Sequence, residues 1–259
     1  MTDTPLPEFD NPPVLEVVSG VQFEVLPGLQ TRHYGQFWNL VKDLYPNTQD
    51  APPLPEVAEA VSVTLMALPP LRRMILISTD NRYVVQLQDS RFHVNWRKTS
   101  DADKYPRFKE IYPRFQKLWD QFFTFVSQAM LGQLKPNRFE LTYVNHIEAD
   151  NPSDIVSSIE ASVRMYSWAT MKPEFLPRPN SVSAAWQFPL PDGKGVLTAN
   201  LSHAERNKRQ IVVLNMFAAG AASPGYALDD WFHTAHEWIV RGFTDLTTKT
   251  AHDKWGRRS

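Results

Sequence analysis

An α+β fold built from two similar halves is what this sequence predicts, and three observations predict it. Alternating apolar runs of strand length lie between long stretches whose apolar residues recur at helical spacing. The order strand, helix, several short strands, long helix occurs twice. The two occurrences, about residues 14–130 and 137–255, are nearly equal in length, which marks an internal repeat.

The first half opens with a β-rich run from Val14 to Val25, broken at Ser19-Gly20, where a bend or bulge is expected. A helix follows over about Thr31–Tyr45, with Tyr34, Phe37, Trp38, Val41 and Leu44 at helical spacing and Pro46 as its stop. The segment from Pro46 to Glu56 reads as a proline-rich loop. Strands are expected near Ala60–Leu68, Arg73–Thr79, Tyr83–Asp89 and Arg91–Lys98, separated by turn-forming residues. A long helix is expected from Tyr105 or Pro106 to Met130, because Phe108, Ile111, Phe115, Leu118, Trp119, Phe122 and Val126 fall in one narrow arc. Pro113 starts or kinks its main body.

The second half opens at Pro136 with a strand over Arg138–Glu148, then a helix over Ser153–Tyr166 with Ser153 as its N-cap. After a second proline-rich loop come strands near Val182–Leu190, Gly195–His203 and Gln210–Ala218, with Asp192-Gly193 as a hairpin signal. The last helix is expected over Leu228–Ala251. Each half is a β-α-β(3–4)-α unit, the order found in helix-grip and TATA-binding-protein-like folds, where an antiparallel sheet carries its long helices on one face. The expected division is an N-terminal arm (1–13), a first unit (14–135) and a second unit (136–259), packed as one body.

Composition narrows the chemistry. The chain has no cysteine, so thiolate nucleophiles, disulfides and Cys-ligated metals are excluded. Its formal net charge is -1, unlike the positive excess of a dedicated duplex-DNA binder. No apolar run of about 18 residues occurs and the first residues lack signal-peptide character, so a cytoplasmic protein without a membrane partner is expected. Nucleotide-binding glycine loops, GxSxG and EF-hand patterns are missing from the sequence, and no cofactor is expected.

Three segments carry candidate chemistry. On the last helix, His233, His236 and Glu237 have neither of the spacings with a known zinc mechanism, and helical geometry points them apart, so no metal is expected. Along Arg91–Lys98, alternation puts Phe92, Val94 and Trp96 on one face and His93, Asn95 and Arg97 on the other, with Gln86 and Gln88 on the preceding strand. That polar face is either a solvated outer surface or a recognition surface of amides and guanidinium groups. In Leu141–Ile147, Asn145 shares a core-facing side with Tyr143, as a structural amide tie or a ligand contact.

The chain resembles, nearly end to end, a sporadically distributed bacterial protein family of unknown function. The resemblance rests on Asn11-Pro-Pro-Val-Leu-Glu16, Val21-Gln-Phe23, Phe37-Trp38, Gln86-Leu-Gln88, Phe92, Asn95-Trp-Arg97 and Tyr105-Pro-Arg107. It continues through Leu141–Ile147, Ala235-His236-Glu237, Phe243–Thr247, His252 and Trp255-Gly-Arg257. It implies no activity, cofactor or partner, and the patchy distribution implies an accessory gene, tied to mobile elements or defence.

The expected function is therefore that of a non-enzymatic binding or interaction protein, using an open sheet face or a groove between the halves. The expected partner is another protein or a small ligand rather than nucleic acid. The candidate binding residues are Gln86, Gln88, His93, Asn95, Arg97, Tyr143, Asn145 and His236. One rival is a hydrolase-like enzyme using His236, His146 or His252 in that groove. The other is a single-stranded nucleic-acid binder using Trp96, Arg97 and Tyr143.

Overall fold

A computed structural model describes residues 5–54, 72–149, 154–164, 167, 174–206, 208–222 and 227–258. The described strands are β1 (Val14–Phe23), β2 (Asn47–Ala51), β3 (Arg73–Ile77), β4 (Tyr83–Gln88), β5 (Arg91–Arg97), β6 (Pro136–Glu148), β7 (Ala184–Pro189), β8 (Val196–Arg206) and β9 (Arg209–Ala221). The described helices are α1 (Thr31–Val41), α2 (Phe108–Gln128), α3 (Ile155–Ser162), α4 (Leu228–Leu246) and α5 (Lys249–Lys254). The strands form one nine-stranded antiparallel sheet in the order β2-β3-β4-β5-β1-β6-β9-β8-β7. The fold is thus the expected mixed α+β class.

Two compact units share the chain. One comprises Val18–Thr99 and Pro106–Phe139; the other comprises Met1–Val17, Ser100–Tyr105 and Glu140–Ser259. In the first, α1 and α2 cover one sheet face with interlocked rings. Phe92 of β5 stacks on Phe122 of α2 at 5.0 Å and meets Phe37 of α1 at 6.1 Å and Trp119 at 5.7 Å. The arc read from the α2 sequence is the buried side of that helix: Phe108, Ile111, Phe115, Leu118, Trp119, Phe122 and Val126 are all buried. Pro113 lies inside α2, whose first turn already spans Phe108–Ile111.

In the second unit, α4 lies against β8 and β9, close enough that a methyl group on Gly242 would stand 3.1 Å from Leu197 and 3.3 Å from Met216. Leu197, Ala199, Leu201, Val212, Leu214, Met216 and Ala218 are the buried alternate residues of that face. The residues read as a free arm are docked from Phe9 onward: Phe9 is buried and meets the rings of Phe243, His252 and Trp255. Apolar burial of one phenylalanine outweighs the freedom of a short segment. Trp255 is buried there too, as its position in a basic tail requires if it is to escape water.

Several expected boundaries move. Asn47–Ala51, read as loop, is the edge strand β2, paired antiparallel with β3 from Asn47 opposite Ile77 to Ala51 opposite Arg73. Its residues are almost all exposed, so backbone pairing forms it without any apolar alternation. β1 runs unbroken through Ser19-Gly20. The N-cap of α3 is Asp154, whose carboxylate accepts from the Ser157 N–H at 3.0 Å; Ser153 lies outside the described residues. The last helix ends at Leu246, and Thr248 starts α5 by accepting from the Ala251 N–H. The strand expected over Ala60–Leu68 also lies outside the described residues.

Candidate functional site

The eight expected binding residues fall into two groups. β4 and β5 pair antiparallel, with Val84 opposite Asn95, Gln86 opposite His93 and Gln88 opposite Arg91. Gln86, Gln88, His93, Asn95 and Arg97 therefore stand on one face of two adjacent strands, and Phe92 on the other, helix-covered face.

That polar face is not the open surface expected of it. Gln88, His93 and Asn95 are buried, and Gln86 and Arg97 are half-buried. Burial obliges polar groups to find partners within the chain, and Gln86, Gln88, Asn95 and Arg97 do. Gln86 Nε2 donates to Asn95 Oδ1 at 3.0 Å, and its Oε1 accepts from Arg73 at 2.9 Å. Gln88 Oε1 accepts from the Leu54 N–H at 2.9 Å, and Arg97 Nε donates to the Asn81 carbonyl at 2.8 Å. The His93 ring lies against Gly20 of β1, where a Cβ atom would come within 2.4 Å of it. Gly20, at the position where a bend or bulge is expected, leaves room for this ring.

The second group is Tyr143, Asn145 and His236. Asn145 is buried, and its Nδ2 donates to the Leu214 carbonyl at 2.9 Å, tying β6 to β9. Tyr143 shares a 2.9 Å hydrogen bond with the Tyr105 hydroxyl, and its ring centroid is 6.0 Å from that of His236. Burial, then the neighbouring Tyr105, raises the Tyr143 hydroxyl well above its ordinary range. Burial, then the nearby His233, lowers His236 to about 4, so its ring is neutral at pH 7.

The other histidines are held apart from this pair. His252 is buried, with its ring nitrogens 2.8 Å from the Thr247 hydroxyl and 3.3 Å from Arg257. Burial first and then Arg257 lower its proton affinity. His146 is half-buried and likewise lowered, by burial and then by Arg206. His233 is exposed, and Glu237 is engaged by Arg241 at 2.9 Å. Among the described residues, no three histidines or carboxylates are grouped to hold a metal ion. The stacking groups expected of a nucleic-acid surface are inside: Trp96 is 1% exposed and Tyr143 3%.

An open polar surface lies instead on β7 and β8, while Ile211, Val213 and Ala219 on the same side of β9 are buried. On β7–β9 the positions opposite the α4-covered set form rows across the sheet: Gln187–Thr198–Phe217 and Ala185–Asn200–Asn215. Gln187, Asn200 and Ser202 are exposed, and Thr198 is half-buried. No hydrogen bond from these four side chains is found among the described residues, and Asn215 Oδ1 is buried without a partner there. The signal lies in Val196–Ser202, where Leu197, Ala199 and Leu201 alternate with Thr198, Asn200 and Ser202. That alternation marks a strand, and its outer set is polar without being charged.

No protein-family model matches this chain, and no curated protein matches it. No helix among the described residues is long and apolar enough to cross a membrane.

The lowered His236 has a stability consequence. Its folded value lies below the ordinary 6.5, so the unfolded chain binds this proton more readily. Its contribution is fully present above pH 6.5 and is lost as pH falls from 6.5 to about 4. Allowing for its partial exposure, this amounts to about 1–3 kcal/mol. Urea denaturation at pH 7 and pH 4.5 should show wild-type protein losing more stability than His236→Leu over that interval; equal losses would assign the acid sensitivity elsewhere.

Proposed function

We propose that this chain is a binding protein rather than an enzyme, and that it recognises its partner through the exposed polar row of β7 and β8. One observation carries this reading. The amides of β4 and β5 are consumed by internal hydrogen bonds, whereas Gln187, Thr198, Asn200 and Ser202 make none among the described residues. Solvent satisfies such a row in the free protein, and a partner can take the place of that solvent without breaking any internal hydrogen bond. The partner is a protein or a small ligand, met in the cytoplasm, and the gene is an accessory one of the sporadically distributed bacterial family that the sequence resembles. The halves are read as a duplication: strand order runs β5-β4-β3-β2 outward from β1 and β9-β8-β7 outward from β6, as a helix-grip or TATA-binding-protein-like repeat would.

The second reading is a hydrolase-like enzyme, favoured by the neutral, strongly perturbed His236 beside Tyr143 and Tyr105. A single-stranded nucleic-acid binder has less support, because Trp96 and Tyr143 are buried.

The test compares two alanine variants. Asn200→Ala should leave the melting temperature within about 2 °C of wild type while weakening capture of the native partner at least about 10-fold. Asn95→Ala should lower stability by about 1–2 kcal/mol, because Gln86 loses its acceptor, and should leave capture by folded protein intact. Capture lost only in Asn95→Ala, or in His236→Leu, would move the binding site away from β7 and β8.

A further inference from the structure

One edge of the sheet is left open. β7 (Ala184–Pro189) is the last strand in the sheet order and pairs with β8. The Leu190 N–H donates to the Gly195 carbonyl at 2.8 Å, and these two residues stand one step beyond the Pro189–Val196 pair. Backbone direction alternates along an antiparallel strand, so Phe188, Trp186 and Ala184 also turn their N–H and C=O groups to β8. Ala185, Gln187 and Pro189 turn theirs outward. Proline occupies one of these outward positions, where its missing N–H costs no ladder bond. Among the described residues, no backbone hydrogen bond reaches the outward groups of Ala185 and Gln187. Natural sheets guard their free edges, with charge among other devices. The edge strand β2 carries Asp50, ion-paired with Arg72 at 3.3 Å, and has no large apolar side chain. β7 has no charged residue, and its Trp186 and Phe188 are only half-buried.

We infer that β7 is extended by a strand of a partner protein, which adds its backbone to the open edge. The inference rests on the binding reading above and names the kind of partner and how it attaches. The outward N–H and C=O groups recur along β7 at every second residue, about 6.8 Å apart. Another extended backbone carries donors and acceptors at that repeat, and a compact small ligand does not. The side chains of the added strand follow from the two faces of β7. One set lies beside Trp186 and Phe188, which calls for apolar residues. The other lies beside Ala185 and Gln187 and continues the polar row of Asn200 and Thr198 opposite them. The partner segment therefore alternates apolar with uncharged polar residues and has no proline facing β7. A second copy of β7 is the poorer match, because its own Pro189 lacks one of the N–H groups that such a segment supplies.

The test is amide hydrogen exchange on the full chain, followed residue by residue by NMR. In the free chain, Ala185 and Gln187 should exchange at least about 10-fold faster than Trp186 and Phe188, whose N–H groups donate to β8. The probe is a synthetic peptide with the sequence of residues 196–202, the segment that β7 already accepts on its inner edge. At about 1 mM it should slow Ala185 and Gln187 at least about 2-fold, the effect of half-occupancy at a dissociation constant of about 1 mM. The same peptide carrying Ala199→Pro and Asn200→Pro should not slow them. Gln187→Pro in the full chain keeps the β7–β8 bonds and should abolish the slowing at Ala185; Ala185→Pro is the second variant, read at Gln187. Slow exchange of Ala185 and Gln187 in the free chain overturns the inference, as does a peptide without effect or one whose effect survives Gln187→Pro. Dimerisation that Gln187→Pro abolishes overturns it too, since the occupant is then a second copy. Capture of the native partner lost in Asn200→Ala and unchanged in Gln187→Pro upholds the polar row and overturns pairing at the edge. Capture lost in Gln187→Pro and unchanged in Asn200→Ala upholds the edge and removes the row.

Discussion

Truncating Phe122 to alanine is expected to destabilise the fold by about 3–5 kcal/mol and lower the melting temperature by roughly 10 °C. Phe122 is fully buried, and its ring lies within 6.0 Å of the rings of Phe23, Phe37, Phe92 and Trp119. These contacts join β1, β5 and both long helices of the first unit. Removing the ring leaves a void lined by rigid aromatics that cannot collapse into it, so the cavity term adds to the lost transfer energy. The neighbouring residue is the control. Phe123 is 54% exposed, and Phe123→Ala should change stability by no more than about 0.5 kcal/mol. Urea unfolding followed by tryptophan fluorescence reads both variants. Comparable losses from the two would mean that α2 is turned about its axis from the orientation described.

That contrast was legible in the sequence, because a helix 21 residues long repeats its period often enough for the buried arc to stand out. The alternation in β5 was legible for the same reason, and so was the side on which Phe92 packs. What burial does to the opposite side was not. Periodicity separates two faces of a strand but does not say whether the polar one meets water. The sequence therefore could not distinguish Asn95, which is tied to Gln86, from Asn200, for which no such tie is found among the described residues. β2 left no trace because its exposed residues have no apolar face to repeat, and its existence depends on a partner strand distant in the chain. The break between α4 and α5 was obscured by apolar spacing that continues across it. It is set by the two threonines: the Thr247 hydroxyl donates to the Phe243 carbonyl, and Thr248 caps the next helix.

Gly220 supplies the sharpest test of packing in the second unit, and no periodicity announces it. It lies near the end of β9, beside the turn that joins β7 to β8. A Cβ atom placed on it would stand 1.8 Å from the Lys194 carbonyl oxygen and 2.9 Å from Trp231 Nε1. That oxygen is the acceptor for Trp231 Nε1 at 2.9 Å, and Trp231 is fully buried at the start of α4. One methyl group therefore meets backbone rather than a yielding side chain, and it intrudes on a buried hydrogen bond as well. The turn cannot simply retreat: Gly195 holds a left-handed φ of +125° with the Ala219 carbonyl directly against it. Gly220→Ala should cost about 2–4 kcal/mol, combining overpacking with a strained or lost hydrogen bond. Gly35, exposed on α1 with nothing within 4 Å of the place a methyl group would take, gives the opposite sign. Gly35→Ala should stabilise by about 0.5–1 kcal/mol through helix propensity and a less disordered unfolded chain. Urea midpoints at pH 7 measure both. If Gly220→Ala unfolds at the wild-type midpoint, the turn is not seated against β9, and the anchoring of the β7–β8 end of the proposed recognition face fails with it.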